Sequence, residues 1–482
     1  MHGDAVNPIR RGLAKGASVR LWHRDDSPNS RSGNFSESEG SRESPSGDRF
    51  SAIQVAIIDL ADEMPVLYRA RADGTEFGGL WVLVLENGSP LGVVEFPFTG
   101  DSIGGAALKG LLLDGTKEAD PPDPLVELPD AQLPFASIVV PTTFDRFDRL
   151  QSCVERLSSL DYPDYEVIVV DNRPERPNGH VERDKLSTLP RVRVITERLR
   201  GISAARNCGV AISLGEFVAF TDDDAMPHPK WLRRIGTRYA LQREVNCVTG
   251  LVVPVEFETE AQLWFEQSGV GLDRNLHRYE YRSIANERGA AGLGRTRFMV
   301  RRQEGNRQID HSLYMLGPYG MGCNLSFRRQ FLIENGDFDR ALGTGTPTRG
   351  GEDIASLVEL LFSGETLAYE PSAIVSHAHR STYEELRKQI FGYGVGMSAA
   401  LIALAWRNPR HVVGYARVFS SGARAFLGRG PSTRPQKPTD YPAELTHLEI
   451  KGLLFGPIAY LHSRWLYRGR LRSGKRRQFE HG

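Results

Sequence analysis

Between residues 136 and 224 the chain alternates two patterns, and that alternation constrains its fold more than anything else in the sequence. Short, continuous apolar and β-branched runs occur at 136–141 (ASIVVP), 166–172 (EVIVVDN), 191–197 (RVRVITE) and 216–224 (EFVAFTDDD). Between them lie stretches with helical spacing. In RFDRLQSCVERLSSL (146–160), Leu150, Val154 and Leu157 share one face, and GISAARNCGVAISLG (201–215) reads as a helix ended by a glycine. Strands that are apolar throughout need cover on both faces, so the pattern predicts an α/β fold with a parallel sheet between helices. In such sheets ligands bind beyond the carboxyl ends of the strands. Val140-Pro141, Asp171-Asn172 and Asp222 to Asp224 all fall at those ends.

Composition divides the rest. Residues 1–50 are expected to be disordered, since 24–49 is rich in Ser, Gly, Arg and acid and cannot bury a core. Residues 51–130 read as a small α+β domain and linker, with a hairpin at ENGSP and a Pro-rich connector over 119–134. The α/β domain is expected over 135–395. Residues 396–482 read as a helical extension with a linker at 429–442 and a basic tail. That tail, 463–478, carries seven Lys or Arg and no acid, which suits a peripheral contact with anionic lipid as well as a solvated terminus.

The formal net charge is zero, so no nucleic-acid partner is expected. The four cysteines have no CxxC pair, and the nearest two are 39 residues apart, which predicts neither disulfides nor a zinc site and fits a reducing cytosol. The N-terminus has no apolar core of a signal peptide. Ile390 to Trp406 is apolar but interrupted by Gly392, Gly394, Gly396 and Ser398, so a buried or interfacial helix is expected there, not a transmembrane one. A cytoplasmic protein able to meet the inner face of the cell membrane follows.

Three adjacent aspartates after a buried strand pose an electrostatic problem, because each raises the cost of ionising the next unless a cation or donors compensate. If the strand continues, Asp222 and Asp224 project to the same side. Mn²⁺ or Mg²⁺ takes hard oxygen ligands of this kind. A solvated turn is the plain alternative, as it is for Asp171-Asn172. Gly201 allows close backbone approach, and the helix start after it favours an anion. GGED (350–353) places Glu352 and Asp353 at a helix start, where acids also simply complement the dipole. The two glycines before them suit a loop that closes over substrate. Trp231 reads as core.

Taken in order, SIVVPTTFDR, VIVVDN, RGISAARNCGV, FTDDDAMP, GCNLSFRR, GGED and His377 resemble a family 2 glycosyltransferase of the GT-A fold, over about 136 to 390. The flanking segments look like the extensions of some bacterial members. The resemblance implies a metal-dependent, inverting transfer of a sugar from a nucleoside diphosphate sugar to an acceptor hydroxyl, on a glycan or lipid-linked acceptor. It implies Asp224, with Asp222 and His377, as ligands of Mn²⁺ or Mg²⁺, and leaves His379 as a rival to His377. Pro141, Thr142, Arg146, Gly201, Arg206 and Asn207 would hold the donor, together with Asp222 and Asp223, the latter without a defined role. Asp171 would read the base. Asp353 would be the catalytic base, with Glu352 its rival. Met315 to Asn324, with Gly317, Gly320 and Gly322, would line the acceptor side, with Cys323 and Asn324 near the transferred sugar. A nucleotidyltransferase is the competing enzyme class, and PTTFDRFDR, which lacks glycine, argues against it. A silent sugar-nucleotide-binding scaffold is the other, opposed by the intact acids at 224 and 353.

Overall fold

The computed structural model describes residues 50–173, 180–267, 275–284, 298–314, 319–416 and 441–479. The segment 24–49, Met315, Gly317 and most of the linker expected at 429–442 lie outside them. The described residues form two compact units. One runs to Pro122 and includes Glu256–Glu260; the other comprises Asp123–Val255 and the chain from Ala261 onward.

In the smaller unit, β1 (Ile53–Asp59) pairs in parallel with β3 (Gly79–Glu86), and β3 pairs antiparallel with β4 (Ser89–Pro97). β2 (Leu67–Tyr68) and β5 (Ser102–Ile103) form a separate two-stranded ladder. The hairpin falls at the expected place. Asn87 and Gly88 both take positive φ, 51° and 82°, the conformation a tight two-residue β-turn requires. Helix α1 (Gly105–Thr116) buries Leu108 and Leu112 in a core with Val82 and Val84.

The larger unit is built on an 11-stranded sheet. β6 (Ala136–Thr142), β7 (Tyr165–Asp171), β8 (Val192–Thr196) and β9 (Phe217–Phe220) are the four predicted strands, and they pair in parallel. Their connecting helices are α2 (Phe147–Leu157), α3 (His180–Ser187) and α4 (Ile202–Ile212). Beyond β9 the sheet mixes directions. β10 (Ala225–Pro227) is followed by α5 (Trp231–Leu241), β11 (Val245–Pro254), α6 (Glu260–Gln267), β12 (Tyr279–Ile284), β13 (Met299–Glu304), β14 (Arg307–Ser312), β15 (Leu325–Arg328), α7 (Arg329–Asn335), α8 (Glu352–Ser363) and β16 (Thr366–His377). The strand order is β14-β13-β12-β16-β11-β15-β9-β6-β7-β8, with β10 pairing β16 off that path. β15 lies antiparallel to β9, whereas β11 and β16 are parallel to each other.

Packing explains the small residues of α4. A Cβ on Gly209 would fall 2.5 Å from the Val139 side chain, so this glycine lets the helix lie close on β6. The glycine expected to end α4 has another task. The helix stops at Ser213, and Gly215 is required because its own backbone crowds Ala136 and Ser137 of β6.

Two long helices follow the sheet, α9 (Tyr383–Arg407) and α10 (Ala443–Phe479). Gly394 of α9 and Gly452 and Gly456 of α10 lie so close to the facing backbone that a Cβ would collide with it. Among the described residues α9 is long and apolar enough to cross a membrane, with a mean hydropathy of 1.4 in its most apolar window, and 56% of that window is buried. Leu386, Ile390 and Leu445 pack with Phe265 in one apolar cluster.

Candidate active site

Strand β9 ends at Phe220, before the aspartates. Asp222 to Asp224 therefore sit on a turn, with Ala225 N–H donating to the Asp222 carbonyl at 3.2 Å. The expected continuation of the strand through them is not what forms. Asp222 and Asp224 are brought together all the same. β10 pairs antiparallel with β16 so that Ala225 faces His377. His377 Nε2 then lies 3.4 Å from Asp224 Oδ1 and 3.9 Å from Asp222 Oδ2.

The three acids differ. Asp224 also meets Arg146 Nη1 at 2.8 Å, and Asp223 accepts from the Thr142 hydroxyl at 2.6 Å. Asp222 is approached by Arg206 Nη2 at 3.6 Å, and its Oδ1 is buried without a hydrogen bond. Burial pushes the Asp223 carboxyl up to about 6, against the Thr142 hydrogen bond. Burial also raises Asp222, despite Arg206. For Asp224, burial is outweighed by the hydrogen bond from His377 and the charges of His377 and Arg146, so its carboxyl falls well below the usual range. His377 is raised: burial opposes its charge, and the bond to Asp224 overcomes it. The carboxylates thus call for positive charge at one point, and Asp222 offers that point an unsatisfied oxygen.

His377, not His379, faces this point. His379 Nε2 lies 2.9 Å from Glu266 Oε2 in a buried pair.

Arg206 is 1% exposed and links the aspartates to α8. Nη1 donates to Glu352 Oε1 at 3.0 Å, and Nη2 donates to the Gly322 carbonyl at 3.2 Å. Glu352 is buried, whereas Asp353 beside it is partly exposed. Asp353 Oδ2 accepts from Gly322 N–H at 3.1 Å and Oδ1 from Ile354 N–H at 2.8 Å. Burial first, then the Asp353 charge, pushes the Glu352 carboxyl up to about 7, against Arg206.

The loop before α8 is braced. Thr346 and Thr348 hydroxyls lie 2.8 Å apart, and Thr348 accepts from Gly343 N–H at 3.1 Å. Gly351 takes φ 91° at the helix start, and a Cβ there would strike the Gly396 carbonyl of α9. Gly351 thus serves backbone conformation and close packing.

The start of α4 is also occupied by protein. Gly201 N–H donates to Asn172 Oδ1 at 2.8 Å, and Ile202 N–H to the Thr344 carbonyl at 3.0 Å. Those two donors are engaged, so the expected anion cradle at Gly201 is not formed by them. Asn207 is exchanged completely with Phe338, at 2.9 Å from its amide and 3.0 Å to its carbonyl oxygen. Its hydrogen bonds brace the chain after α7, and it does not face the aspartates as a donor ligand would.

At the end of β7, Asp171 meets the Arg173 fork at 2.9 and 2.8 Å. A free carboxylate awaiting a base is therefore not what the structure shows. Arg173 lies over the Phe144 ring at 4.1 Å, and Phe144 holds φ 57° while its N–H donates to Thr142 Oγ1 at 2.9 Å. Pro141 is buried in β6 opposite Val170. Sequence reasoning placed Asn172 at this strand end but missed Arg173; an Arg two positions after a strand-end acid was the available signal. Asn324 is fully buried, taking Trp231 Nε1 at 2.9 Å and donating to the Leu251 and Ala373 carbonyls at 2.9 and 2.7 Å. Its expected place at a sugar is corrected by those bonds, and Trp231 is core as expected.

A parallel βαβ half-sheet gathers acids, a histidine and a buried arginine at its carboxyl edge, the place where α/β sheets of this kind bind ligands. Residues 137–334 match the family described as glycosyl transferase family 2. The likeness to glycosyltransferase family 2 covers this segment, about two fifths of the chain. Over 105 residues it is 34% identical to glycosyltransferase AglE of Haloferax volcanii, covering 21% of this chain and 34% of that protein. Over 254 residues it is 26% identical to the glucosyl-dolichyl phosphate glucuronosyltransferase of the same organism, covering 50% and 68%. The chain thus spans about a third of the first relative and two thirds of the second. Among solved structures, mannosyltransferase PcManGT of Pyrobaculum calidifontis, in complex with GDP-Man and Mn²⁺, aligns at a TM-score of 0.40 with 16% identity, covering 70% of this chain and 90% of that one.

Proposed function

We propose that the chain is a metal-dependent, inverting glycosyltransferase that moves a sugar from a nucleoside diphosphate sugar to an acceptor hydroxyl. The observation that carries this reading is the convergence of Asp222, Asp224 and His377, with Asp353 partly exposed and tied to Gly322, which also accepts from Arg206. The donor set, two carboxylates and an imidazole, fits Mn²⁺ or Mg²⁺. The unsatisfied Asp222 oxygen fits an ion ligand as well. When bound, the ion neutralises charge growing on the diphosphate leaving group.

The chain's own residues divide the remaining work. Asp353 takes the proton of the acceptor hydroxyl as its oxygen attacks the anomeric carbon. The bond to the diphosphate oxygen breaks with its electron pair, and configuration inverts. Asp353 is favoured over Glu352 because a base must reach the acceptor, and Glu352 is buried under Arg206. Glu352 is a positioning residue for Arg206, and Arg206 and Arg146 hold positive charge on the donor side. Thr142 fixes Asp223 and Phe144. The Asp171–Arg173 pair beside Phe144 would meet the base. Pro141, Gly201 and Asn207 shape the surrounding backbone.

A lipid-linked or cell-envelope glycan is the acceptor class we favour. The name of one relative includes a dolichyl phosphate, and α10 presents an exposed apolar face suited to a membrane. A cytoplasmic protein at the inner membrane face follows from that reading.

The test is Asp353→Asn, assayed with a panel of donors. Transfer should fall at least 100-fold, in line with the loss of a general base, while Mn²⁺ and nucleotide binding stay unchanged. Wild-type turnover in that variant would remove Asp353 from the mechanism.

A further inference from the structure

We propose that Cys323 is a further side chain of the ion site and that its sulfur admits thiophilic divalent ions, Zn²⁺ or Cd²⁺, to the point where the hard ion of the transfer reaction sits. The inference rests on reading Asp222 and His377 as ion ligands. A carboxylate oxygen of Asp222, the sulfur of Cys323 and a ring nitrogen of His377 all lie within 4.8 Å of one another. A tetrahedral zinc with bonds of about 2.0 to 2.3 Å places its ligand atoms roughly 3.5 Å apart, so only small side-chain movements would close this set on one ion.

The position of the thiol is set from both sides. Gly322, one residue before it, donates to Asp353 and accepts from Arg206. A Cβ at Gly322 would lie 2.7 Å from Arg206 Nη2 and 3.2 Å from Asp353 Oδ2, so a larger residue would press on both side chains. Asn324, one residue after, is tied to β11 and β16 and to Trp231. Cys323 itself is buried and free of any disulfide. A purely hard site for Mg²⁺ or Mn²⁺ needs oxygen and imidazole only, whereas a sulfur at the same point selects softer ions. On binding, the thiol would release its proton to solvent and bond as thiolate. If Asp224 completed the set as a fourth ligand, a tetrahedral zinc would have no position left for a diphosphate, so Zn²⁺ would act as a competitor of the productive ion.

The experiment titrates the full chain with Cd²⁺ and follows the ultraviolet sulfur-to-cadmium charge-transfer band, with Mn²⁺ binding measured separately by electron paramagnetic resonance. Wild type and Cys208→Ser should develop the band with a single equivalent of Cd²⁺, and Zn²⁺ should displace bound Mn²⁺. Cys323→Ser and Cys323→Ala should lose the band while still binding Mn²⁺. Mn²⁺ binding without any cadmium–sulfur band in wild type would overturn the role of Cys323 alone. An undiminished band in both Cys323 variants would do the same. No Mn²⁺ binding in wild type would overturn the ion site itself, and this inference with it.

Discussion

Glu352 shows how far one side chain can depart from its sequence role. GGED offers Asp353 as the base with Glu352 as its rival, and the fold buries Glu352 and leaves Asp353 partly open. The folded protein holds the Glu352 proton up to about pH 7, while the ordinary carboxyl value is 4.5. A proton held more tightly by the folded state stabilises it. That contribution is complete below 4.5 and is lost as pH rises through about 7. Urea denaturation across this window should therefore show wild type losing stability relative to Glu352→Gln, by a few kcal/mol at most. Parallel pH profiles for the two proteins would show that burial does not hold the proton. The aspartate triplet was only half legible in the sequence. The need for positive charge could be read from three adjacent acids. The family resemblance already set Asp224 apart and left Asp223 without a role; the physical cause of the inequality was not legible, because it depends on Thr142, Arg146 and His377, which lie 82, 78 and 153 residues from Asp224.

At the scale of elements, the parallel strands β6 to β9 were legible as short apolar runs, and α2 and α4 as the helical stretches between them. The mixed half of the sheet was not. β15, β11 and β16 find their partners across long stretches of chain, and nothing local in GCNLSFRR announces that it pairs with both β9 and β11. Helix α10 carries a further property that only its packing discloses. Leu454, Ile458, Leu461 and Trp465 recur at helical spacing and remain exposed, Leu454 by 74% and Trp465 by 70%. The same helix has no acid after Glu449 and eight Lys or Arg between 451 and 477. An apolar face followed by a basic run matches an anionic lipid surface, where each basic residue adds about 1 kcal/mol of attraction. The full chain should sediment with vesicles containing anionic lipid, less so in high salt. Changing those four side chains to Ser should reduce the bound fraction at least several-fold. Equal sedimentation of the two proteins would take the membrane away from this face.

For the molecule as a whole, the family-matched segment holds the aspartates and Arg206, and residues beyond it complete the proposed site. Glu352, Asp353 and His377 all lie outside 137–334, and the sheet returns them to the aspartates through α8 and β16. Two units are present, and the return of Glu256–Glu260 to the smaller one had no sequence signal, since a short segment between strands carries no composition of its own. The central claim is that Asp222, Asp224 and His377 hold an ion that in turn holds a nucleoside diphosphate. Thermal unfolding of the full chain with UDP, GDP or dTDP, each with and without Mn²⁺, measures this directly. At least one diphosphate should raise the midpoint only when Mn²⁺ is present, and Asp224→Asn should abolish that shift. No metal-dependent shift with any of the three would contradict the account.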